Sequence, residues 1–309
     1  MIIFSHPKPF RPDTSAVQRA AFRSWKQSFP EARILLFGEE DGTEKTCADL
    51  GLEYAGPVRT EPGSRAALIS DIFQRVAAGK DHLHLYINSD ILLGAKAAST
   101  VARLASLSGP WLASGRRYRF PAPFEDTGAA DREAAWEKAP SWGDVSEMDY
   151  FLYKNHEIVG MPDFTIGHCA WDNWMIWQAR CQGIPVVDIS GTFPAYHHDH
   201  RYDYSRGNTH PRERAGPLEE RNLRLLGGEA RRFHLGHATY ELGAKGIRRR
   251  TGTGVWQREC ELFRLMHPWL ELPIRYLRNL FHPLIRRWEK STRQKEDWNV
   301  PGSPRNTGF

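Results

Sequence analysis

The sequence predicts an α/β fold: a mostly parallel, doubly wound sheet flanked by helices, with a helical extension at the C-terminal side. Three observations carry this expectation. Over the first ninety residues, short apolar runs of strand length alternate with stretches of helical periodicity. Glycine or proline punctuates most of the junctions between them. The chain has 309 residues and is 40% hydrophobic, enough to bury a full core.

Residues 2–5 read as the first strand, followed by a turn carrying Pro7, Pro9 and Pro12. Asp13, Thr14 and Ser15 offer caps for a helix whose apolar residues are Val17, Phe22, Trp25 and Phe29, and Pro30 stops it. Residues 34–37 form a continuous apolar strand ended by Gly38, and Thr43 is placed to cap a short helix closed by Gly51. Residues 52–54 return as a third strand. Ser64 is then expected to cap a helix with an apolar face of Leu68, Ile72, Phe73 and Val76, and residues 82–93 supply the fourth strand. Repeated β-α-β units of this kind build a parallel sheet.

Residues 114–140 are rich in Arg, Pro, Asp and Ala, which predicts loops and a short helix over the sheet edge. Regularity returns with a strand at 148–153, a helix from about Asp172 to Cys181 with Gly183 as its cap, and a strand at 184–189. From about Gly236 a mainly helical region is expected. Its stripe of Leu270, Ile274, Leu277, Phe281, Ile285 and Trp288 runs beside Arg275, Arg278, Arg286 and Arg287, and is divided by Pro273 and Pro283. The domain expectation is therefore a main domain over 1–235, a helical extension over 236–291 and a disordered tail over 292–309.

The net charge of +5 suits an anionic ligand or a membrane surface, and no basic nucleic-acid motif accompanies it, so no nucleic-acid partner is expected. Cys47, Cys169, Cys181 and Cys260 lack C-x-x-C spacing and read as free thiols of a reducing cytosol. The first residues are strand-like with no basic leader ahead of them, which adds to a cytoplasmic expectation. No run approaches the roughly 20 apolar residues needed to cross a bilayer.

The chemistry concentrates in three places. Asn88-Ser89-Asp90 interrupts an apolar run, and a buried carboxylate needs a cation or strong donors. Its place at the end of a strand is where ligands gather in open α/β sheets, so Asp90 is a candidate for a divalent cation bridging a nucleotide diphosphate; the bland alternative is a turn aspartate. Tyr196-His197-His198-Asp199-His200 packs three imidazoles into four residues, which points to Mn²⁺ more than Mg²⁺ if they ligate, or else to a solvated loop. Asp172, between Trp171 and Trp174 at a helix start, is either a cap or a rigid carboxylate able to take a proton from a hydroxyl. The two tryptophans are core by default, or platforms for a sugar ring.

Together these segments resemble the GT-A glycosyltransferases, and more narrowly a group of bacterial GT-A-like proteins. The segments that carry the resemblance are Pro7-Lys8-Pro9-Phe10, Asn88-Ser89-Asp90, Asp149-Tyr150-Phe151, Phe164-Thr165-Ile166-Gly167, Trp171 to Trp174, and His197 to His200 with Asp203-Tyr204-Ser205. The likeness covers roughly residues 1–207, and Asn88 stands where the fuller D-x-D motif has a first acid. It implies a GT-A-like, Rossmann-like sheet and transfer of a sugar from a nucleotide-sugar donor to a hydroxyl of a saccharide or glycolipid acceptor. Surface polysaccharide or glycolipid assembly, with inversion, is the expected setting. On this reading Ser5, His6, Arg65, Asp71, Asn88 and Asp90 hold the donor, and Asp90, His197 and His200 hold Mn²⁺ or Mg²⁺. Asp149, Trp171 and Trp174 face the acceptor or sugar, and Asp172 is the base. Within the class the rival is a retaining mechanism; outside it the rival readings are a nucleotidyltransferase, a metal-dependent hydrolase, or a sugar-nucleotide-binding protein without catalysis. The C-terminal stripe with its arginines suits either peripheral contact with an anionic membrane or packing on the main domain.

Overall fold

The computed structural model describes residues 1–120, 134, 141–154, 160–198 and 216–270. Residues 1–259 form one compact unit and 260–309 a second. The first unit opens with β1 (Ile2–Ser5), α1 (Ser15–Ser28), β2 (Arg33–Phe37), α2 (Thr43–Leu50), β3 (Glu53–Gly56), α3 (Ile69–Ala77), β4 (Leu83–Ile87) and β5 (Ile91–Leu93). It continues with α4 (Lys96–Ala105), β6 (Trp111–Ser114), β7 (Tyr118–Phe120), β8 (Tyr150–Lys154), α5 (Trp171–Cys181), β9 (Val186–Asp188), β10 (Ala195–His198) and α6 (Pro217–Leu226). A hairpin of β11 (Tyr240–Gly243) and β12 (Gly246–Arg249) leads to α7 (Thr253–Met266), whose last residues fall in the second unit.

The class is the expected one. A nine-stranded sheet runs in the order β12-β11-β9-β6-β8-β4-β1-β2-β3, and a three-stranded sheet in the order β5-β10-β7. In the large sheet β1 pairs parallel with β2 and β4, β2 with β3, and β9 with β6 and β11. The exceptions are β8, antiparallel to both β4 and β6, and β12, antiparallel to β11. All four residues of β1, three of them apolar, are buried, as a central parallel strand requires.

Several boundaries differ from the sequence reading, each for a local reason. The run expected as one strand over 82–93 is two: β4 ends at Ile87, the chain turns through Asn88-Ser89-Asp90, and β5 enters the other sheet. The helix expected from Ser64 begins at Ile69, because bridges from Ala67 to Thr60 and from Leu68 to Thr165 hold the preceding backbone extended. Thr14 does not cap α1 with its side chain; its hydroxyl donates to the Pro9 carbonyl at 2.5 Å instead. At α2 the N-cap is Gly42 and Thr43 is the first helical residue. The 114–140 region contains β7 where loops were expected, and α4 and β6 were not read from the sequence. The helical extension expected from Gly236 starts as the β11–β12 hairpin, which joins the large sheet through β9. Of the C-terminal stripe only Leu270 falls within the described residues; the rest, and the expected tail, lie outside them.

The core fixes the 88–90 turn from behind. Phe22 and Trp25 of α1 are fully buried with ring centroids 4.9 Å apart, and each such side chain contributes roughly 1.5–3 kcal/mol by burial. Trp25 also donates its indole N–H to the carbonyl of Ile91 at 2.7 Å, so α1 anchors the strand that leaves the turn.

Candidate active site

The antiparallel placement of β8 builds half the site. Ile87, the last residue of β4, pairs with Tyr150, the first residue of β8, so Asp149 lies beside Asn88. The Asn88 backbone N–H donates to the Asp149 carbonyl at 2.8 Å, and its side-chain amide donates to Asp149 Oδ1 at 2.9 Å. The other end of that amide accepts from the Tyr86 hydroxyl at 3.2 Å. Asn88, the first position of the N-x-D motif, thus holds Asp149 and Tyr86.

Asp90, two residues on, faces a different set. It is buried, with Lys8 Nζ 2.8 Å and His197 Nε2 3.8 Å from the same oxygen, Oδ2. Register explains the imidazole: β10 runs antiparallel to β5 and sets His197 opposite Ile91. Lys8 is placed by Gln18 on α1, a fully buried side chain that accepts from the Lys8 backbone N–H at 2.8 Å and donates to the Lys8 carbonyl at 3.0 Å. The same Gln18 oxygen accepts from Ser89 at 2.7 Å. One amide therefore locks the proline-flanked loop after β1 to the turn after β4.

A third carboxylate arrives from α5. Asp172 lies in the first turn behind Ala170, whose φ of +88° makes it the single non-glycine residue among the described ones with a left-handed backbone. The N-cap position itself is that of Ala170, two residues before Asp172. Its Oδ1 accepts from the Asn173 N–H at 2.8 Å. Its surroundings are dense although the side chain keeps some exposure, and that burial, with a smaller push from the charge of Asp149, raises its pKa to about 6. Burial likewise pushes Asp149 above the usual carboxylate range, opposed by Arg117, which donates to its Oδ2 at 3.0 Å. Arg117 also pairs with Glu147 at 3.0 Å. The Tyr86 phenol is held in its neutral form first by burial and then by the charges of Asp90, Asp149 and Asp172.

Other expected site residues sit as follows. Ser5 ends β1 at this edge and His6 follows it: Ser5 Oγ is buried and has no hydrogen-bond partner among the described residues, and burial lowers His6 to about 4, so a neutral imidazole lies 3.3 Å from Glu40. Trp171 packs edge-on against Tyr86 at 4.9 Å and Phe151 at 5.5 Å, and Trp174 packs against Phe164 at 6.2 Å. Both tryptophans are buried, so their rings serve the core that carries Asp172. Arg65 is exposed in the turn before α3. The Asp71 carboxylate is taken by Arg59, through the backbone N–H at 3.2 Å and Nε at 3.3 Å. His200, and Asp203 to Ser205, lie outside the described residues.

Asp90 and His197 fit a divalent cation in kind, since a hard carboxylate oxygen from the turn after β4 and an imidazole nitrogen from β10 converge. Among the described residues no group of three such ligands gathers. Sequence reasoning missed Lys8, Gln18 and Arg117. Lys8 stood within a quoted motif without a role, and single polar residues on helices and loops carry no periodic signal. The four cysteines are free. Among the described residues no helix is long and apolar enough to cross a membrane.

No family model and no curated protein matches the chain. Among solved structures the chain is similar to a putative nucleotide-diphospho-sugar transferase from Desulfovibrio desulfuricans G20, with 13% identity, 73% of this chain and 94% of that one covered, and a TM-score of 0.37. It is also similar to glucosyl-3-phosphoglycerate synthase from Mycobacterium tuberculosis in complex with Mn²⁺, uridine-diphosphate and phosphoglyceric acid, with 15% identity, 82% and 86% covered, and a TM-score of 0.42. A third is S. aureus TarS 1-349, with 10% identity, 64% and 60% covered, and a TM-score of 0.42. At such values the functional reading rests on this chain's own residues.

Proposed function

We propose that the chain is a glycosyltransferase that moves a sugar from a nucleotide-sugar donor to a hydroxyl acceptor with the help of a divalent cation. The observation that carries this reading is the convergence of Lys8 Nζ and His197 Nε2 on one oxygen of the buried Asp90 in the turn after β4, with Asp149 hydrogen-bonded to Asn88 of the same turn and Asp172 raised to about 6. Two acids in different electrical settings are what separate duties require. Asp90 and His197 would hold Mn²⁺, or Mg²⁺, with His200 assigned beside them from the sequence. That cation would neutralise charge developing on the departing diphosphate.

Ser5, His6 and Asn88 lie along the same edge and support the donor assignment, while Arg65 and Asp71 stay with it on the resemblance alone. Asp172 takes the proton of the acceptor hydroxyl: a pKa near 6 leaves it ionised at neutral pH yet more basic than an ordinary carboxylate. Asp149, tied to Asn88 and Arg117, serves as the brace of the turn more than as a sugar contact. The finer reading is an inverting enzyme of surface polysaccharide or glycolipid assembly, working on the cytoplasmic side with peripheral contact to the membrane.

The test incubates the full chain with a panel of nucleotide sugars, Mn²⁺ and mixed saccharide and lipid-linked acceptors. Release of free nucleoside diphosphate, lost in Asp90→Ala, is the expected result. Formation of pyrophosphate from a nucleoside triphosphate and a sugar phosphate would replace this reading with nucleotidyl transfer.

A further inference from the structure

We propose that Lys8 is a tethered counter-cation: it neutralises Asp90 while the metal position is vacant, yields that oxygen to a divalent cation, and then binds the diphosphate of the donor. The proposal deepens the glycosyltransferase reading and rests on it. Its first support is that Lys8 Nζ, at 2.8 Å, and His197 Nε2, at 3.8 Å, converge on one oxygen of Asp90. That is the oxygen a cation shared by Asp90 and His197 would need, so ammonium and metal exclude each other there. The second support is the asymmetry of the pair: the Lys8 side chain is 51% exposed and that of Asp90 is 8%. The carboxylate cannot leave, whereas the lysine stem has solvent to swing through.

The third support is the backbone. Pro7 and Pro9 fix φ on both sides of Lys8, and the buried Gln18 amide engages both the N–H and the carbonyl of Lys8 while joining Ser89. An incidental surface ion pair needs no such clamp. With the main chain held, only the four-carbon stem moves, and the nearest strong demand for a displaced ammonium beside a metal site is a phosphate oxygen. Gln18 is then a positioning residue that keeps Lys8 in register with the turn.

The experiment uses the full chain and its Lys8→Met variant in two titrations: Mn²⁺ alone, read from the signal of the free ion, and UDP, GDP and CDP at saturating Mn²⁺, read by calorimetry. Removing a competitor should tighten Mn²⁺ binding about two- to fivefold, the span of a partly exposed ion pair. Removing a phosphate partner should weaken the nucleoside diphosphate about tenfold or more. Gln18→Leu should move both in the same directions by less. Any other combination of signs overturns the proposal: no change in either marks an incidental pair, and weakening of both marks a structural brace. If the unaltered chain binds Mn²⁺ but none of the diphosphates, the donor reading itself fails and the phosphate half of this proposal with it, a result read without the variant.

Discussion

At Asp172, structure and chemistry pull in opposite directions. Folding places a carboxylate where burial raises its pKa from 3.8 to about 6, so the ionised form is disfavoured in the native state. Because the folded pKa lies above the unfolded one, the stability linked to this group is fully present below pH 3.8 and is lost as pH rises through about 6. Asp172→Asn should therefore be more stable than the parent above pH 6, by up to about 3 kcal/mol, with the gap closing towards pH 4; thermal unfolding across that range checks it. The same substitution should cost roughly 10²- to 10⁴-fold in turnover while donor affinity stays, and the parent's rate should climb with pH to a plateau above 6. Near-normal turnover in the folded variant would leave the base unassigned. Asp90, Asp172 and His197 were legible because charge inside apolar sequence is conspicuous. Gln18 was not, since an amide on a helix looks solvated until the fold buries it.

The element that makes the site is β8, whose reversed direction sets Asp149 against the turn after β4. That reversal was invisible in the sequence, because an antiparallel strand between two parallel neighbours is buried on both faces and reads as the same apolar run. The first three helices, α5 and the N-terminal strands were legible for the opposite reason: prolines and glycines mark their ends, as Gly51 does in left-handed conformation at the close of α2. The Asp149 brace makes a separable prediction. Arg117→Met leaves a buried carboxylate without its guanidinium and should destabilise by about 2–4 kcal/mol, less than the full cost of a deeply buried pair because Asn88 remains. Adding Asp149→Asn should recover about 1–3 kcal/mol of that loss. Purely additive denaturation midpoints would show that Arg117 acts through Glu147 instead.

At the scale of the whole molecule, the alternation of strands and helices announced the sheet, but the split between two sheets did not show, because β4 and β5 are separated by only three residues of one apolar stretch. On the C-terminal side β11 and β12 stand where helix is expected, since two strands of four residues, joined by the turn between Gly243 and Gly246, are too short to show strand periodicity. Beyond it, α7 and the residues after it expose large apolar side chains: Phe263 is 49% exposed, Met266 41% and Trp269 72%. In sequence these lead into the stripe flanked by Arg275, Arg278, Arg286 and Arg287, and the chain as a whole carries +5. Apolar side chains beside arginines are the pattern of a helix lying in a membrane interface, where anionic headgroups add about 1 kcal/mol per basic residue. The full chain should therefore sediment with vesicles containing phosphatidylserine or phosphatidylglycerol at low salt, bind less to neutral vesicles, and release as ionic strength rises. Phe263→Ala with Trp269→Ala should reduce binding several-fold without altering nucleoside diphosphate affinity. No sedimentation with anionic vesicles at low salt would assign these side chains to a protein contact and remove the membrane from the proposed setting.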